Sequence, residues 1–508
     1  MEKIIETDWK ESSYAGKVCK SCQAHFDITD ADMIFYEKIV PTFDGKKFSV
    51  PTPTFCPECR FQRRLSFRNE RTLYKDQCDL TGKTIISMYA PTSPYKVYDQ
   101  DVRRWDQRDA ISYARDFDFS RSFFEQFNEL LIDVPRLAMV NMNSQNSEYC
   151  NPWINNRDCY LVFSVRNCEA CLYGRRIDDS TTCVDCLSVQ DSQNCYSCIQ
   201  CGNCYACINC INCHDCSDCI NCRDLDNKQY YINNKEYSKE EFKKLKDEGI
   251  ILDPTLWNHD NVLNNFANEN CSGNFIRNSR DCVNCYDVYE WHSLHNCEFV
   301  KKWTEDCIDT TMCLTTALQR EVLSSINQSI CISAYSCWNS SFLFYCDSCY
   351  NCRDCFGCVG LRDKQYYIFN KEYSKTDYEK LVPKIMEKMK ADGDLWEFFP
   401  STISPFWYNE TLAQEYFPLT KKEALERWFK RLDYEAPLPQ VEKTLKASDL
   451  PDIKNVTDDI LQQAIICEVS GKPFRIIPQE LKFYRKYNIQ LPHKHPDVRH
   501  SERMQYRR

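Results

Sequence analysis

The chain has 508 residues, 43% of them hydrophobic, and a formal charge of −10. That is enough apolar material for two to four domains, which excludes a disordered polymer, and the acidic balance excludes one large nucleic-acid-binding face. The unusual figure is 35 cysteines against 11 glycines, a share that fits neither an ordinary enzyme nor a small secreted disulfide scaffold.

Met1 to Lys20 contains no apolar h-region, and no uncharged run approaches the roughly 20 residues that cross a bilayer. The expected compartment is the cytoplasm, without membrane contact. Thiols there stay reduced, so cysteines are metal ligands, packed small residues or redox groups before they are disulfides.

The first motif along the chain is a pair of knuckles, Cys19-Lys-Ser-Cys22 and Cys56-Pro-Glu-Cys59, separated by a segment with a loop over 41–54. Four thiolates at about 2.3 Å enclose a tetrahedral zinc ion with no open position. The spacing therefore predicts a structural zinc site on Cys19, Cys22, Cys56 and Cys59, within a ribbon domain and extension over 1–90. Arg60, Arg63, Arg64 and Arg68 follow at once, interleaved with Phe61 and Phe67. Such a pattern suits phosphate contact and base stacking, with a solvated basic surface as the alternative. A connector over 91–145 carries an aromatic-faced helix, Ser122 to Leu131.

Two cysteine-dense blocks come next, and they are copies. A shift of 136 residues superimposes Cys195, Cys201, Cys210, Cys213, Cys216, Cys219 and Cys222 on Cys331, Cys337, Cys346, Cys349, Cys352, Cys355 and Cys358. The match continues into K-Q-Y-Y-I-N-N-K-E-Y-S-K from Lys228 and K-Q-Y-Y-I-F-N-K-E-Y-S-K from Lys364, eleven identities in twelve. Each string reads as an aromatic strand (Gln229–Ile232, Gln365–Ile368), an Asn-Lys turn and a second short strand. A helix then opens on Ser238-x-x-Glu241 or Ser374-x-x-Asp377.

From Cys195 to Cys222 ten cysteines fall at every third position. An α-helix would scatter them over every face, a flat strand would alternate them between faces, and a 3₁₀-helix is never so long. Tracking Cys-x-x-Cys pairs exposes a twelve-residue interval between 183/186, 195/198, 207/210 and 219/222. Twelve residues at about 3.3 Å make a perimeter of about 40 Å, too narrow for ranks of Leu or Phe but suited to Cys. Corners in such a coil need positive φ, and Asn194, Asn203, Asn209, Asn212, Asn221, Asp185, Asp215 and Asp218 each precede a cysteine.

The expected fold is mainly β with flanking helices, an α+β multidomain chain. Its centre is a duplicated, narrow, Cys-rich β-solenoid with rungs of about twelve residues. Unit 1 covers 146–250 and unit 2 covers 251–395, each closed by a hairpin-plus-helix cap. The same geometry leaves two other uses of the array open: thiolates on neighbouring rungs holding zinc or iron–sulfur clusters, and a reversible disulfide ladder.

Beyond the arrays the sequence predicts helices at Lys375 to Lys390 and Thr420 to Leu432, the latter in a helix-and-linker segment over 396–458. Pro437, Pro439 and Pro451 mark a surface linker over 433–458. The last segment, 459–508, has ten Lys/Arg from Glu468 onward against four Asp/Glu.

With Phe26, Asp32, Phe35 and Tyr36 between its knuckles and Arg60 after them, the N-terminal pattern resembles a small zinc-ribbon family of unassigned biochemistry, C-x-x-C, Phe, an acidic residue, Phe-Tyr and C-P-x-C-R. The C-terminus repeats this imperfectly, with Cys467, Phe474, Ile476, Glu480, Phe483, Tyr484, Pro492, Pro496 and Arg499 in matching places. Ser470, His495 and Val498 stand at the other ligand positions. Cys467 and His495 thus form a weak second metal site or a metal-free relic, and Arg499, Arg503 and Arg507 repeat the basic tail. The whole chain resembles uncharacterised bacterial cysteine-rich proteins with the same order of ribbon, array and K-Q-Y cap, which implies architecture but no established activity.

No P-loop, dinucleotide fingerprint or G-x-S-x-G elbow is present. The expected function is a non-enzymatic zinc-binding scaffold or adaptor, with its basic ribbon ends on protein, nucleic acid or ribosome. The alternative is a metal- or thiol-handling protein that uses the array itself for multiple zinc ions, iron–sulfur clusters or redox buffering.

Overall fold

The computed structural model describes residues 16–100, 109–147, 149–151, 153–175 except 164 and 166, 217–248, 335–434 and 439–505, with short strands and single positions between 184 and 332. The fold is a mixed α/β arrangement in which the described residues form seven sheets of two or three strands and one of twelve, with a four-cysteine cluster near the N-terminus. No helix among the described residues is long and apolar enough to cross a membrane.

The N-terminal module opens with a hairpin, Lys17–Val18 on His25–Phe26. Helix α1 (Asp30–Lys38) follows, started by a capping box in which Thr29 and Asp32 satisfy each other's backbone amides. The segment predicted as a loop contains a second hairpin, Thr42–Phe43 on Lys46–Lys47. Helix α2 (Pro57–Leu65) begins at Cys56 with proline in its first turn, where the missing N–H costs nothing. Helix α3 (Phe123–Asp133) is capped by Ser122, as its sequence predicts.

In the cysteine-dense blocks, short parallel strands and isolated bridges join residues twelve apart. Gln145 bridges Arg157, which bridges Glu169, and Ser217 pairs with Gln229. Ser329, Ser341, Arg353 and Gln365 form one continuous parallel ladder. Two pairings among the described residues depart from the interval: Asn265 meets Ile276, eleven residues on, and Glu298 meets Thr311, thirteen residues on.

Between bridges the chain turns through one left-handed residue in every three. The run from Asn339 through Phe342, Tyr345, Ser348, Asn351, Asp354, Gly357, Gly360, Asp363 and Tyr366 to Phe369 has φ between 46° and 71°. Cys346, Cys349, Cys352, Cys355 and Cys358 each follow such a residue, and this explains a three-residue cysteine spacing that neither helix nor strand accommodates. Asp218 and Asn221 are left-handed as expected; Asp185, Asn194, Asn203, Asn209, Asn212 and Asp215 lie outside the described residues. Corners are not restricted to Asn and Asp, however, since Leu161, Ala170 and Tyr345 also occupy them. Packing offsets the strain of a Cβ there. Tyr345 is buried, its ring lies 5.2 Å from Phe123, and its hydroxyl accepts the Trp396 amide at 2.6 Å.

The array sulfurs follow a rule of their own. Among the described residues six of them, Cys159, Cys219, Cys346, Cys349, Cys355 and Cys358, lie within reach of two carbonyls, one two residues back and one nine residues on. Cys346 approaches the Phe344 and Cys355 oxygens at 3.4 and 3.5 Å, and Cys358 those of Phe356 and Tyr367 at 3.5 and 3.4 Å. Cys159 and Cys219 do the same in the first block. A carbonyl only accepts, so these sulfurs donate as S–H groups. Burial pushes the thiols of Cys337, Cys346, Cys355 and Cys358 well above the ordinary range, which keeps them protonated.

Both K-Q-Y strings form the expected hairpins, Gln229–Ile232 with Lys235–Glu236 and Gln365–Ile368 with Lys371–Glu372. Helix α4 (Lys239–Glu248) starts with Ser238 and Glu241 bonding each other's amides. Helix α5 (Lys375–Asp392) starts at Ser374 and ends on left-handed Gly393. The second block shares one core with the N-terminal module: Phe43 packs on Phe344 at 5.5 Å and Phe123 on Phe356 at 5.5 Å. Gly357 is required here, because a Cβ would lie 3.0 Å from Phe369 and 3.1 Å from Phe123.

Two further expectations need correction. After helix α6 (Leu412–Tyr416), helix α7 (Lys421–Glu426) ends six residues before Leu432 because Trp428 is left-handed. The supposed linker is partly structured: Lys443–Lys446 pairs in parallel with Gln463–Ile466, and Ala447, Ile453 and Val456 are buried. Helices α8 (Pro478–Tyr487) and α9 (Pro496–Met504) complete this C-terminal part, which packs on Leu172 and Tyr173 of the first block.

The junction of these parts is charged and largely buried. Glu70 holds Arg68 at 2.5 Å and Arg175 at 2.7 Å, and His500 lies 3.1 Å from Glu415. Desolvation, with Arg71 and Arg503 nearby, draws His500 down to about 4 against the opposing pull of Glu415. The unfolded chain takes up this proton near pH 6.5 and the folded chain only near 4, so stability falls as pH drops through that window. The loss reaches about 3 kcal/mol. Denaturant melts at pH 7 and at the bottom of the window are expected to show it, and His500→Gln, which does not titrate, should lose less.

Candidate metal centre

The cluster is assembled by two short loops. In the first, the Cys19 amide donates to Ala24 O at 2.9 Å and the Gln23 amide to Cys19 O at 3.0 Å. Gln23 takes the left-handed φ of 62° that closes this knuckle. The second loop arrives at the N-terminus of α2, where the Cys56 amide donates to the Cys19 sulfur at 3.3 Å. Cys22 and Cys56 sulfurs are 3.7 Å apart, and all four ligand atoms lie within 4.8 Å of one another. The edge of a zinc–thiolate tetrahedron with 2.3 Å bonds is about 3.8 Å, so the donor set has the size and chemistry for such an ion. Cys19, Cys56 and Cys59 are buried and Cys22 is exposed.

In the thiol form the Cys59 S–H donates to Cys56 and draws it down to about 5, while the same contact raises Cys59. Burial raises Cys22. Metal binding therefore releases protons and weakens as pH falls.

The knuckle occurs three times. At Cys78 the amide of Cys78 donates to Lys83 O, that of Gly82 to Cys78 O and that of Asp79 to Val97 O, at 2.8, 2.8 and 2.9 Å. The Asp99 amide reaches the Cys78 sulfur at 3.2 Å. At Cys467 the matching bonds run to Lys472 O, from Gly471 and from Glu468 to His493 O, at 3.0, 3.0 and 3.1 Å, and the His495 amide faces the sulfur. In the first knuckle Lys20 donates to Thr54 O at 3.1 Å in the place of Asp79 and Glu468. The second ligand position is thus Cys22, Thr81 or Ser470, and the third is Cys56, Asp99 or His495. Among the described residues only the first copy gathers three or more metal-binding side chains. The middle copy escaped the sequence reading, although Cys78-x-x-Thr81-Gly82-Lys83 matches Cys467-x-x-Ser470-Gly471-Lys472.

The arginines predicted to present a basic surface lie inside. Arg60, Arg63, Arg64 and Arg68 are buried, Arg64 completely, and so are Arg499 and Arg503; Arg507 lies outside the described residues. Arg63 pairs with Glu397 at 3.1 Å and covers the Phe55 ring at 4.5 Å. Arg499 lies 3.6 Å from Glu480 and 4.6 Å over Tyr173. Arg63 and Arg499 thus join distant segments, where the sequence alone suggested contacts with phosphate. No model of a known protein family matches the chain, and no curated protein matches it.

Proposed function

We propose that the chain is a non-enzymatic scaffold held at its N-terminus by one structural zinc ion on Cys19, Cys22, Cys56 and Cys59. The observation that carries this is the closed set of four sulfurs, which leaves no coordination position for a substrate. In this reading the ribbon is followed by two narrow Cys-rich β-solenoid units with hairpin-plus-helix caps, and the Cys78 and Cys467 knuckles are ribbons that have lost their ions. The twelve-residue strand register and the left-handed residue in every three support it. Carbonyl-directed S–H groups support packing as the role of the array.

The alternative, a thiol- or metal-handling array, draws support from the first block alone. There S–H groups of Cys213 and Cys219 draw Cys216 down to about 3, and those of Cys210 and Cys219 draw Cys222 down to about 4. Native mass spectrometry with elemental analysis on reduced protein separates the two readings. The scaffold predicts one zinc per chain, lost on joint Cys19→Ser and Cys22→Ser replacement; several ions surviving those changes would make the array the site.

A further inference from the structure

Two tryptophans, Trp396 and Trp428, adopt left-handed φ values of 65° and 63°, a conformation that disfavours any residue with a Cβ. Trp396 has a local reason: it is 1% exposed, and its indole N–H donates to Ser49 O at 3.0 Å. Trp428 has none. It closes α7 in a position glycine normally takes, with its amide on Leu425 O and that of Phe429 on Ala424 O. The residue is 77% exposed; its carbonyl accepts from Ser401 Oγ at 3.1 Å, but its ring makes no hydrogen bond or ring contact among the described residues. A glycine would cap the helix with less strain and leave less apolar surface in water.

Trp428 rims a cleft of about 510 Å³ beside the metal centre, with Cys59 in its wall and Phe55, Phe398 and Phe429 among its lining residues. The Arg63–Glu397 pair there is internally satisfied. The other charged lining residues have both signs, Lys20 and Arg427 against Asp394 and Glu426. An aromatic centre with a mixed-sign rim has the anatomy of a protein–protein contact. A phosphodiester strand would instead meet two carboxylates. Burial and nearby Asp392 raise the Asp394 pKa, so a partner cation there would relieve an existing electrostatic cost.

We propose that this cleft docks a partner protein through an extended segment whose apolar side chain stacks on Trp428 between charges of opposite sign. The inference rests on the scaffold reading and names its working face. Random peptides displayed on phage, selected on the zinc-loaded full chain and titrated by tryptophan fluorescence, test it against Trp428→Ala, Trp428→Gly and a thymidine homopolymer. The expected result is a peptide family with an apolar anchor that binds Trp428→Ala roughly thirtyfold more weakly. Both variants should keep their zinc, and Trp428→Gly should melt no lower than the parent chain. Failure to enrich peptides, binding indifferent to Trp428, Trp428-dependent binding of the homopolymer, or zinc loss or a lower melting temperature in Trp428→Gly would each overturn the proposal. The metal count on the parent chain reports separately on the scaffold reading.

Discussion

Replacing Cys19 and Cys22 by serine is expected to abolish amide protection over residues 16–30 and 52–60 while the ladder over 329–368 stays protected. The knuckle hairpin has strands of only two residues, and the cluster core consists of Cys19, Cys56 and Cys59 with Phe26 and Phe55 beside it. A core so small cannot offset the entropy of ordering these loops, whereas a structural zinc site contributes roughly 10 kcal/mol or more. The collapse should stop at Phe43 and Phe48, which belong to the large core shared with Phe344 and Tyr378. Hydrogen exchange read by mass spectrometry, with and without a zinc chelator, checks this. Unchanged protection in the variant would mean that the loops are held by packing alone.

Glu70→Gln should be the most damaging single change that leaves side-chain volume nearly unaltered. Glu70 is completely buried between Arg68 and Arg175, and Arg175 is almost as inaccessible. Neutralising it removes the nearest counter-charge from two buried guanidinium groups, leaving Arg175 with Glu415 at 3.8 Å, a loss of about 3–5 kcal/mol. The loss is expected in thermal or denaturant melts, and adding Arg175→Met should recover part of it by removing one of those charges. If the single and double variants lose equally, the junction is held by its aromatic contacts and the ion pairs contribute little.

The features legible from sequence are those whose determinants are local. Cys19, Cys22, Cys56 and Cys59 carry their ligand spacing within two short strings, and Ser238 or Ser374 announces a helix three residues before its partner acid. The twelve-residue register could be read because cysteine recurs at the same point of each repeat. The burial of the arginines was not legible because it depends on tertiary packing: Arg63 meets Glu397, 334 positions away, while Glu70 and Glu480, close in sequence to Arg68 and Arg499, pair with them inside the protein. The Cys78 knuckle was hidden because Thr81 and Asp99 fill ligand positions while backbone hydrogen bonds preserve its shape. The early end of α7 depends on a tryptophan in a glycine position, which runs against its intrinsic preference.

The register also constrains how such a chain changes length. A residue in the ladder answers to neighbours one repeat before and one repeat after it, and its handedness recurs on a three-residue beat. Deletion of twelve residues restores both; deletion of three keeps the handedness but rotates every side chain to a different flank. Related chains should therefore differ in this region by whole repeats. The thirteen-residue step between Glu298 and Thr311 is a place where one extra residue has been absorbed without loss of phase in the strands that follow.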